Sequence, residues 1–204
     1  MAFRCYRVDR IAFAMLAAAF LAACTTTPGG GSGQVTKIPH ETSKLLLCKG
    51  MRVRNAPETD KQGRVKGFKP TYRIRGQVLS TAPVRGCLSS GFGGPNRRKD
   101  KPHRRHDGID ISTGGKVPVG AAGAGTIAVI SSSSRGYGKF IDIQHGQGVV
   151  TRYAHLASVD RGIKKGTRVA AGQAIGRTGR TGNASGIHLH YEILVNGKAV
   201  DPLK

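Results

Sequence analysis

The sequence predicts a mainly β protein: a compact antiparallel domain of short strands and tight glycine turns, with few helices. Two observations carry this prediction. Long stretches with helical periodicity are absent, whereas short β-favouring runs recur between glycine-rich turns. The composition, with 30 Gly and no Trp among 204 residues, also suits tight turns. This length is sufficient for one domain of ordinary size plus extensions.

The first 23 residues are typical of a secretory signal. Arg4, Arg7 and Arg10 precede the apolar run IAFAMLAAAF, which is the charged-then-apolar order of such segments. The run ends in LAAC, which resembles the lipobox of bacterial lipoproteins. We therefore expect residues 1–23 to be removed and Cys24 to be lipidated. The alternative is an uncleaved membrane anchor, but the run is short for a bilayer core of about 30 Å.

The rest of the chain divides into three parts. Residues 24–43 combine the lipidated cysteine with a Thr-, Gly- and Ser-rich stretch, which indicates a flexible tether. Residues 44–82 contain short β-favouring pieces between basic residues, and we expect an extension with one or two strands. The main domain is predicted to span residues 83–204.

Within the main domain, strands and turns alternate. The runs AGTIAVIS, GKFIDIQ and VVTRYAHL favour strands, and HGQG between the last two is a turn, which predicts a hairpin. His145 in this turn is expected to have a packing or turn role. The stretch GTRVAAGQAIGRTGRTG adds glycines at turn spacing.

Basic residues dominate the charge. The formal net charge is +22, and the chain without residues 1–23 still carries 30 basic and 10 acidic side chains, or +20. Such a surface attracts polyanions. Because the predicted signal directs the chain to the cell envelope, we expect anionic wall polymers or lipid headgroups as partners and no nucleic acid. The local maximum of charge is RRKDKPHRR, which is either a substrate-contacting segment, through Arg97, Arg98, Arg104 and Arg105, or a solvated loop.

The four cysteines also fit an exported protein. Cys5 would leave with the signal and Cys24 would be acylated, so Cys48 and Cys87 remain. In an oxidising compartment they most simply pair, and a bridge over such a loop stabilises by roughly 3 to 4 kcal/mol in the chain-entropy model. Two buried free thiols are the alternative.

The stretch IHLHYEIL, Ile187 to Leu194, is predicted to be a strand with two unlike faces. Side chains on a strand point alternately to opposite faces, so Leu189, Tyr191 and Ile193 form an apolar face. The other face carries His188, His190 and Glu192. Glu192 would either orient a histidine or face solvent.

A second predicted strand, RHDGIDIS, places His106 and Asp110 on one face and apolar residues on the other. Histidine and aspartate suit zinc, and a catalytic zinc takes three protein ligands with a fourth position open to water. His106, Asp110 and one histidine of the pair at 188 and 190 would supply that set.

Together these motifs resemble a known enzyme family. HDGID, YAHL at Tyr153 to Leu156 and HLHYE, in this order, are similar to the motif set of the lysostaphin-type (LytM-like) zinc metallopeptidases, which cut peptide bonds in bacterial peptidoglycan. The stretches GCLSSGFG and RGYGKFIDIQHGQGVVTRYAHL extend the similarity. It covers roughly Pro83 to Leu203 and leaves the first 82 residues outside.

The resemblance implies a role for each histidine of the site. His106, Asp110 and His190 would bind one Zn²⁺ per chain. His155 and His188 would be catalytic, beside the metal-bound water. Some members of this family have lost metal ligands and only activate other wall hydrolases, but here none of the five positions is missing.

The resulting expectation is a lipid-anchored zinc metalloendopeptidase, a hydrolase that cleaves amide bonds in peptidoglycan, with the cross-links as the expected bonds, in cell-wall remodelling or division. Its expected location is the periplasm, at the outer membrane of a Gram-negative bacterium. The alternatives are a non-cleaving regulator that binds the wall or activates a partner amidase, and a basic polyanion binder whose zinc is structural.

Overall fold

The computed structural model describes residues 44–95 and 105–204, and all of them fall in one compact unit. The predicted signal, Cys24 and the tether lie outside these residues, as do Arg97, Arg98 and Arg104. Regular secondary structure in the described part consists of strands, and no helix there has the length and apolarity needed to cross a membrane. The strands are β1 (Thr71–Ile74), β2 (Gln77–Ser80), β3 (Cys87–Ser90), β4 (Gly93–Pro95), β5 (Arg105–His106), β6 (Ile109–Ser112), β7 (Pro118–Gly120), β8 (Gly125–Ser131), β9 (Phe140–Gly146), β10 (Val149–Ala154), β11 (Leu156–Val159), β12 (Arg168–Val169), β13 (Ala174–Thr178), β14 (His188–Val195) and β15 (Lys198–Val200).

The largest sheet has eight strands in the order β12-β8-β9-β10-β14-β6-β3, with β15 paired to β14. A three-stranded sheet has the order β11-β13-β7, and β1-β2 and β4-β5 form two small hairpin-like pairs. All of these strand pairs are antiparallel. The prediction of a mainly β, antiparallel domain is therefore confirmed.

The core is formed by the apolar faces of the central strands. Ile109 and Ile111 of β6 and Leu189 and Ile193 of β14 are fully buried, because period-2 alternation directs them to one side of the sheet. Tyr153 of β10 and Tyr191 of β14 lie among them, with ring centroids 5.5 Å apart. The extension contributes to the same core through residues that include Leu45, Val65 and Leu79.

The predicted hairpin forms from β9 and β10, and Gln147 and Gly148 in its turn have φ of 50° and 72°. Left-handed φ values at such a turn suit glycine and match the HGQG sequence. The extension carries the β1–β2 hairpin, which falls within the one or two strands expected there.

The stretch RHDGIDIS differs from the single strand expected for it. It is interrupted after His106, and β6 begins only at Ile109. The interruption includes Gly108, where a Cβ atom would lie 2.2 Å from the carbonyl oxygen of Tyr191 on β14. The close approach of the two backbones requires glycine at this position and turns the chain between β5 and β6.

Candidate metal centre and active site

Three side chains converge beside the β6–β14 pair of the large sheet. Asp110 on β6 and His190 on β14 are directly paired residues of adjacent antiparallel strands, and Asp110 Oδ1 lies 2.8 Å from His190 Nδ1. His106, at the end of β5, brings Nε2 to 3.2 Å from Asp110 Oδ1 and 3.2 Å from His190 Nδ1. The three atoms form a closed triangle of nitrogen and oxygen donors.

This triangle fits a zinc ion. With ligand bonds of about 2.0 to 2.2 Å and tetrahedral angles, two zinc ligands lie roughly 3.3 Å apart. The observed separations of 2.8, 3.2 and 3.2 Å are close to that value. Among the described residues, these three are the group of His, Cys, Asp or Glu side chains that could hold a metal. Three donors of the described residues meet here, and a zinc ion held by these three would keep a coordination position for water or substrate.

Each histidine of the triangle has a partner for its other ring nitrogen. His106 Nδ1 lies 2.7 Å from the Gly91 carbonyl oxygen, so it donates there and leaves Nε2 to face the triangle. His190 Nε2 lies 2.9 Å from Glu192 Oε1 and leaves Nδ1 to face it. Such second hydrogen bonds fix the tautomer and the ring orientation of metal-binding histidines.

Glu192 is buried, with 1% of its surface exposed, so it does not face solvent. Besides His190, its carboxylate accepts a hydrogen bond from the Tyr137 hydroxyl at 2.7 Å and lies 3.5 Å from Arg152 Nη1. Burial raises the pKa of Glu192, but the hydrogen bonds and positive partners outweigh it and hold that pKa below its usual value. Of the two alternatives for Glu192, orienting a histidine is the one that this geometry favours.

Arg152 extends this network into the sheet. It lies opposite Asp142 of β9 on one side and Glu192 of β14 on the other, and it forms two hydrogen bonds of 2.8 Å with the Asp142 carboxylate. Sequence reasoning did not assign Asp142, Arg152 or Tyr137. For Asp142 and Arg152 the available signal was a charged residue inside an otherwise mainly apolar strand, as Glu192 is in β14, because a buried sheet tolerates such charges only when they pair. Tyr137 lies outside the strands and had no such signal.

Two further histidines lie beside the triangle. The ring centroids of His155 and His188 are 4.8 Å apart, and His188 Nε2 lies 3.7 Å from Asp110 Oδ1. His155 Nδ1 is 2.8 Å from the Thr181 carbonyl oxygen, and His188 Nδ1 is 2.9 Å from that of Gly186. Both rings therefore donate Nδ1–H to the backbone and leave Nε2 available.

The backbone at His155 is in the left-handed region, with φ of 61°. This conformation is uncommon for a residue with a side chain and costs on the order of 1 kcal/mol. His155 follows β10 directly, and its backbone amide donates a 2.9 Å hydrogen bond to the Tyr137 carbonyl oxygen, which holds this conformation. Burial and the neighbouring His188 lower the pKa of His155 to about 4, so its ring is neutral at pH 7.

The site is accessible from solvent. The side chains of Asp110, His106 and His188 are 22%, 14% and 13% exposed to solvent. Arg105, next to His106, is exposed. The five residues predicted for the site are therefore brought together, while their individual roles, and those of the arginines at 97, 98, 104 and 105, stay predictions.

Residues 104–202 match the model of peptidase family M23. This segment is therefore a peptidase M23 domain. The M23 domain contains all five residues of the site and leaves the extension outside.

Similar proteins agree with this assignment. The peptidoglycan DD-endopeptidase ShyA of Vibrio cholerae is 39% identical over 99 residues, which cover 48% of this chain and 22% of that protein. The uncharacterized lipoprotein YgeR of Escherichia coli is 39% identical over 97 residues, covering 48% of this chain and 38% of that protein. A zinc-containing peptidase from Vibrio cholerae has a similar structure, with a TM-score of 0.56, 30% identity, and coverage of 66% of this chain and 45% of that one. The chain thus spans well under half the length of these curated relatives.

Proposed function

We propose that this M23 protein is a zinc-dependent endopeptidase that hydrolyses amide bonds in the peptide cross-links of peptidoglycan. The observation that carries the proposal is the donor triangle of His106, Asp110 and His190, with the rings of His155 and His188 beside it and His188 Nε2 3.7 Å from Asp110 Oδ1. An accessible three-donor site next to two proton-transferring groups is the arrangement of a hydrolase rather than of a closed structural zinc site.

His106, Asp110 and His190 are the residues that would bind the ion. Zinc would supply a Lewis acid for the scissile carbonyl and would lower the pKa of water to about 7. The neutral ring of His155, with Nδ1–H donated to Thr181, can accept a proton at Nε2 and return it to the leaving amine. His188 Nε2 lies on the Asp110 side of the site, where it can hydrogen bond to substrate or share in this transfer.

The substrate assignment is supported by the relatives. ShyA is a peptidoglycan DD-endopeptidase. It is similar to this chain over 99 residues, which is the length of the M23 segment at residues 104–202. Stem peptides of peptidoglycan are rich in carboxylates, and the chain without residues 1–23, with its net charge of +20, attracts them. Cleavage of peptide cross-links would place the protein in cell-wall remodelling or division.

We further propose that the protein is lipid-anchored through Cys24 in the periplasm, at the outer membrane. The LAAC sequence before the tether supports this location, and so does the similarity to the lipoprotein YgeR. A lipid anchor with a tether of about twenty residues would let the domain reach the wall while it remains on the membrane.

The experiment that tests the proposal is digestion of purified, cross-linked sacculi by the zinc-loaded protein, with and without a chelator, followed by mass analysis of the released muropeptides. We expect chelator-sensitive loss of cross-linked dimers, and the products would identify the bond that is cut. If a folded, zinc-loaded protein releases nothing, the endopeptidase proposal is wrong. A search for a wall amidase that the protein activates would then follow.

A further inference from the structure

A segment outside the M23 domain packs against the edge of the large sheet and reaches the loop beside the metal site. Residues 46–55, here called the strap, form two parallel bridges with β3, between Leu47 and Leu88 and between Arg54 and Ser90. Three backbone hydrogen bonds of 2.8 to 3.0 Å join the strap to this region, and the last runs from the Gly91 amide to the Arg54 carbonyl oxygen. The strap therefore accompanies β3 to the loop that precedes the metal site.

The strap is tied covalently at its start. Cys48 and Cys87 form a disulfide, with their Cα atoms 4.9 Å apart. Seven residues after Cys48, Asn55 ends the strap in the left-handed region, with φ of 47°. Asparagine tolerates this conformation better than most residues, because its short polar side chain can bond locally.

The side chain of Asn55 packs against the glycine-rich loop from Gly91 to Gly94. Asn55 Nδ2 donates to the carbonyl oxygen of Gly93 and lies 3.4 Å from that of Gly91. A Cβ atom at Gly94 would lie 2.0 Å from Asn55 Oδ1, and one at Gly91 would lie 2.0 Å from the Asn55 carbonyl oxygen. The loop from Gly91 to Gly94 is therefore shaped around Asn55.

The same glycine loop orients His106. The Gly91 carbonyl oxygen that Asn55 contacts also accepts the hydrogen bond from His106 Nδ1 at 2.7 Å. Gly93, whose carbonyl accepts from Asn55, is the partner of His106 in the β4–β5 pair. Asn55 thus contacts two groups that hold His106. One is the Gly91 carbonyl oxygen, which accepts from the His106 ring, and the other is strand β4, which pairs with the His106 backbone.

Without the Asn55 contacts the loop would be held less firmly, through the Gly91–Arg54 backbone hydrogen bond and the β4–β5 pair. Gly93 and Gly94 have φ of 73° and 66°, and glycine has more backbone freedom than any other residue. A shift of the Gly91 carbonyl would release His106 Nδ1 and let the ring rotate Nε2 away from Asp110 and His190. Such partners of a metal-binding histidine are typically worth about 10- to 100-fold in metal affinity.

We propose that Asn55 is a positioning residue for the metal site: the disulfide-tied strap uses its amide to fix the glycine loop that orients His106. This inference rests on the proposed zinc site. It extends the site to a residue that lies about fifty positions before the M23 segment.

The test compares two glycine substitutions in the full chain. Asn55→Gly removes the amide but retains a residue that accepts positive φ, so backbone strain does not confuse the result. Asn196→Gly is the matched control, because Asn196 also has a left-handed φ of 51° and its Oδ1 also contacts a glycine position, that of Gly148. Asn196 follows the end of β14, about 20 Å along the strand from His190.

The measurements are zinc affinity, by competition with a chromophoric chelator, and the visible absorption of the Co²⁺-loaded protein. We expect Asn55→Gly to weaken zinc binding about tenfold and to change the Co²⁺ spectrum, with Asn196→Gly like the wild type in both. Asn55→Asp is a second variant of nearly the same shape, whose carboxylate cannot donate to the two carbonyl oxygens, and it should show the same loss.

Equal zinc affinity and equal Co²⁺ spectra for the wild type and both Asn55 variants would overturn this inference and leave the zinc proposal standing. A wild-type protein that binds neither ion would overturn the zinc proposal, and this inference with it. An equal loss in Asn196→Gly would also overturn it, because the effect would then be one of general stability.

Discussion

Asp110 and His190 face each other across β6 and β14, with Oδ1 and Nδ1 2.8 Å apart, although 80 residues separate them in the chain. Their relative position is set by the hydrogen-bonded register of two sheet strands. A one-residue slip of β14 would turn its histidines to the opposite face and destroy the site. The site thus depends on the rigid part of the fold.

His188 and His190, on the same strand, should fail in different ways when replaced. We expect His188→Ala to bind zinc with unchanged affinity but to lose activity by about 10²- to 10⁴-fold, the usual contribution of a proton-transferring group. His190→Ala should lose zinc affinity itself. Isothermal titration with zinc and muropeptide release from sacculi measure the two effects. Full activity in His188→Ala would contradict its catalytic role.

Glu192→Gln should weaken zinc binding with little change of shape. The carboxylate accepts from His190 Nε2, and its charge makes the opposite nitrogen a better ligand. We expect about a tenfold loss of zinc affinity, measured by chelator competition. Glu58→Gln is the control, because the Glu58 side chain is 86% exposed and 3.5 Å from Lys66. Unchanged affinity in Glu192→Gln would show that the buried carboxylate serves only packing.

The sequence predicted the site better than its surroundings. His106, Asp110, His155, His188 and His190 stand in motifs with a chemical signature. Alternation placed four of the five in two pairs, His188 with His190 and His106 with Asp110, each pair on one strand face. Asn55 and Gly91 have no such signature. Their contacts are made through backbone carbonyl oxygens and a residue with left-handed φ. Such contacts depend on how the extension packs against β3, and local sequence patterns do not encode that packing. The break between β5 and β6 was missed for the same reason, since the approach of Tyr191 to Gly108 is a tertiary contact.

The basic segment before β5 should bind the wall through its charge. Replacing Arg97, Arg98, Arg104 and Arg105 by Gln should weaken sacculus binding at low salt, and the difference from the wild type should shrink as salt rises, because exposed charges are screened. Pull-down with sacculi at two or three salt concentrations measures this.

A second quartet of cations gives the matched control. Arg161, Lys164, Lys165 and Arg168 are exposed, and all four lie between Val159 and Val169. Their replacement by Gln removes the same charge. If both quartets weaken binding equally, the basic segment has no special role and net charge alone attracts the wall.

The disulfide should contribute substantially to stability. It joins residues 39 apart, and closing such a loop stabilises by about 4 kcal/mol in the chain-entropy model. We expect the double variant Cys48→Ala/Cys87→Ala to lose about this free energy of unfolding, measured by urea denaturation, and to become insensitive to reductant. A loss below about 1 kcal/mol would mean that the strap is held mainly by its non-covalent contacts.

His145 should make stability depend on pH. It is buried, donates Nδ1–H to the Ala124 carbonyl oxygen and has Nε2 2.8 Å from the Thr151 hydroxyl. Burial lowers its pKa below the usual value, so the folded protein keeps the ring neutral. The stability from this neutral ring is complete above the unfolded pKa of about 6.5 and is lost as pH falls from there through the folded pKa.

The measurement is the difference in unfolding free energy between the wild type and His145→Gln, since other titrating groups cancel in that difference. It should be larger at pH 7.5 than at pH 5. A difference that is constant over this range would mean that His145 titrates alike in the folded and unfolded chains.

If the proposed zinc site is correct, the pairing of β6 with β14 would also couple metal uptake to folding. A partly folded chain in which β14 has not yet docked offers only His106 and Asp110, so it would hold zinc weakly, and the ion would favour the fully assembled sheet by mass action. Pairing of strands so distant in sequence is intrinsically slow, because the entropy of closing a long loop is lost before the stabilising contacts form. The time course of zinc uptake by a refolding chain would therefore follow the closure of that loop, and a chelator would lower the barrier to its reopening.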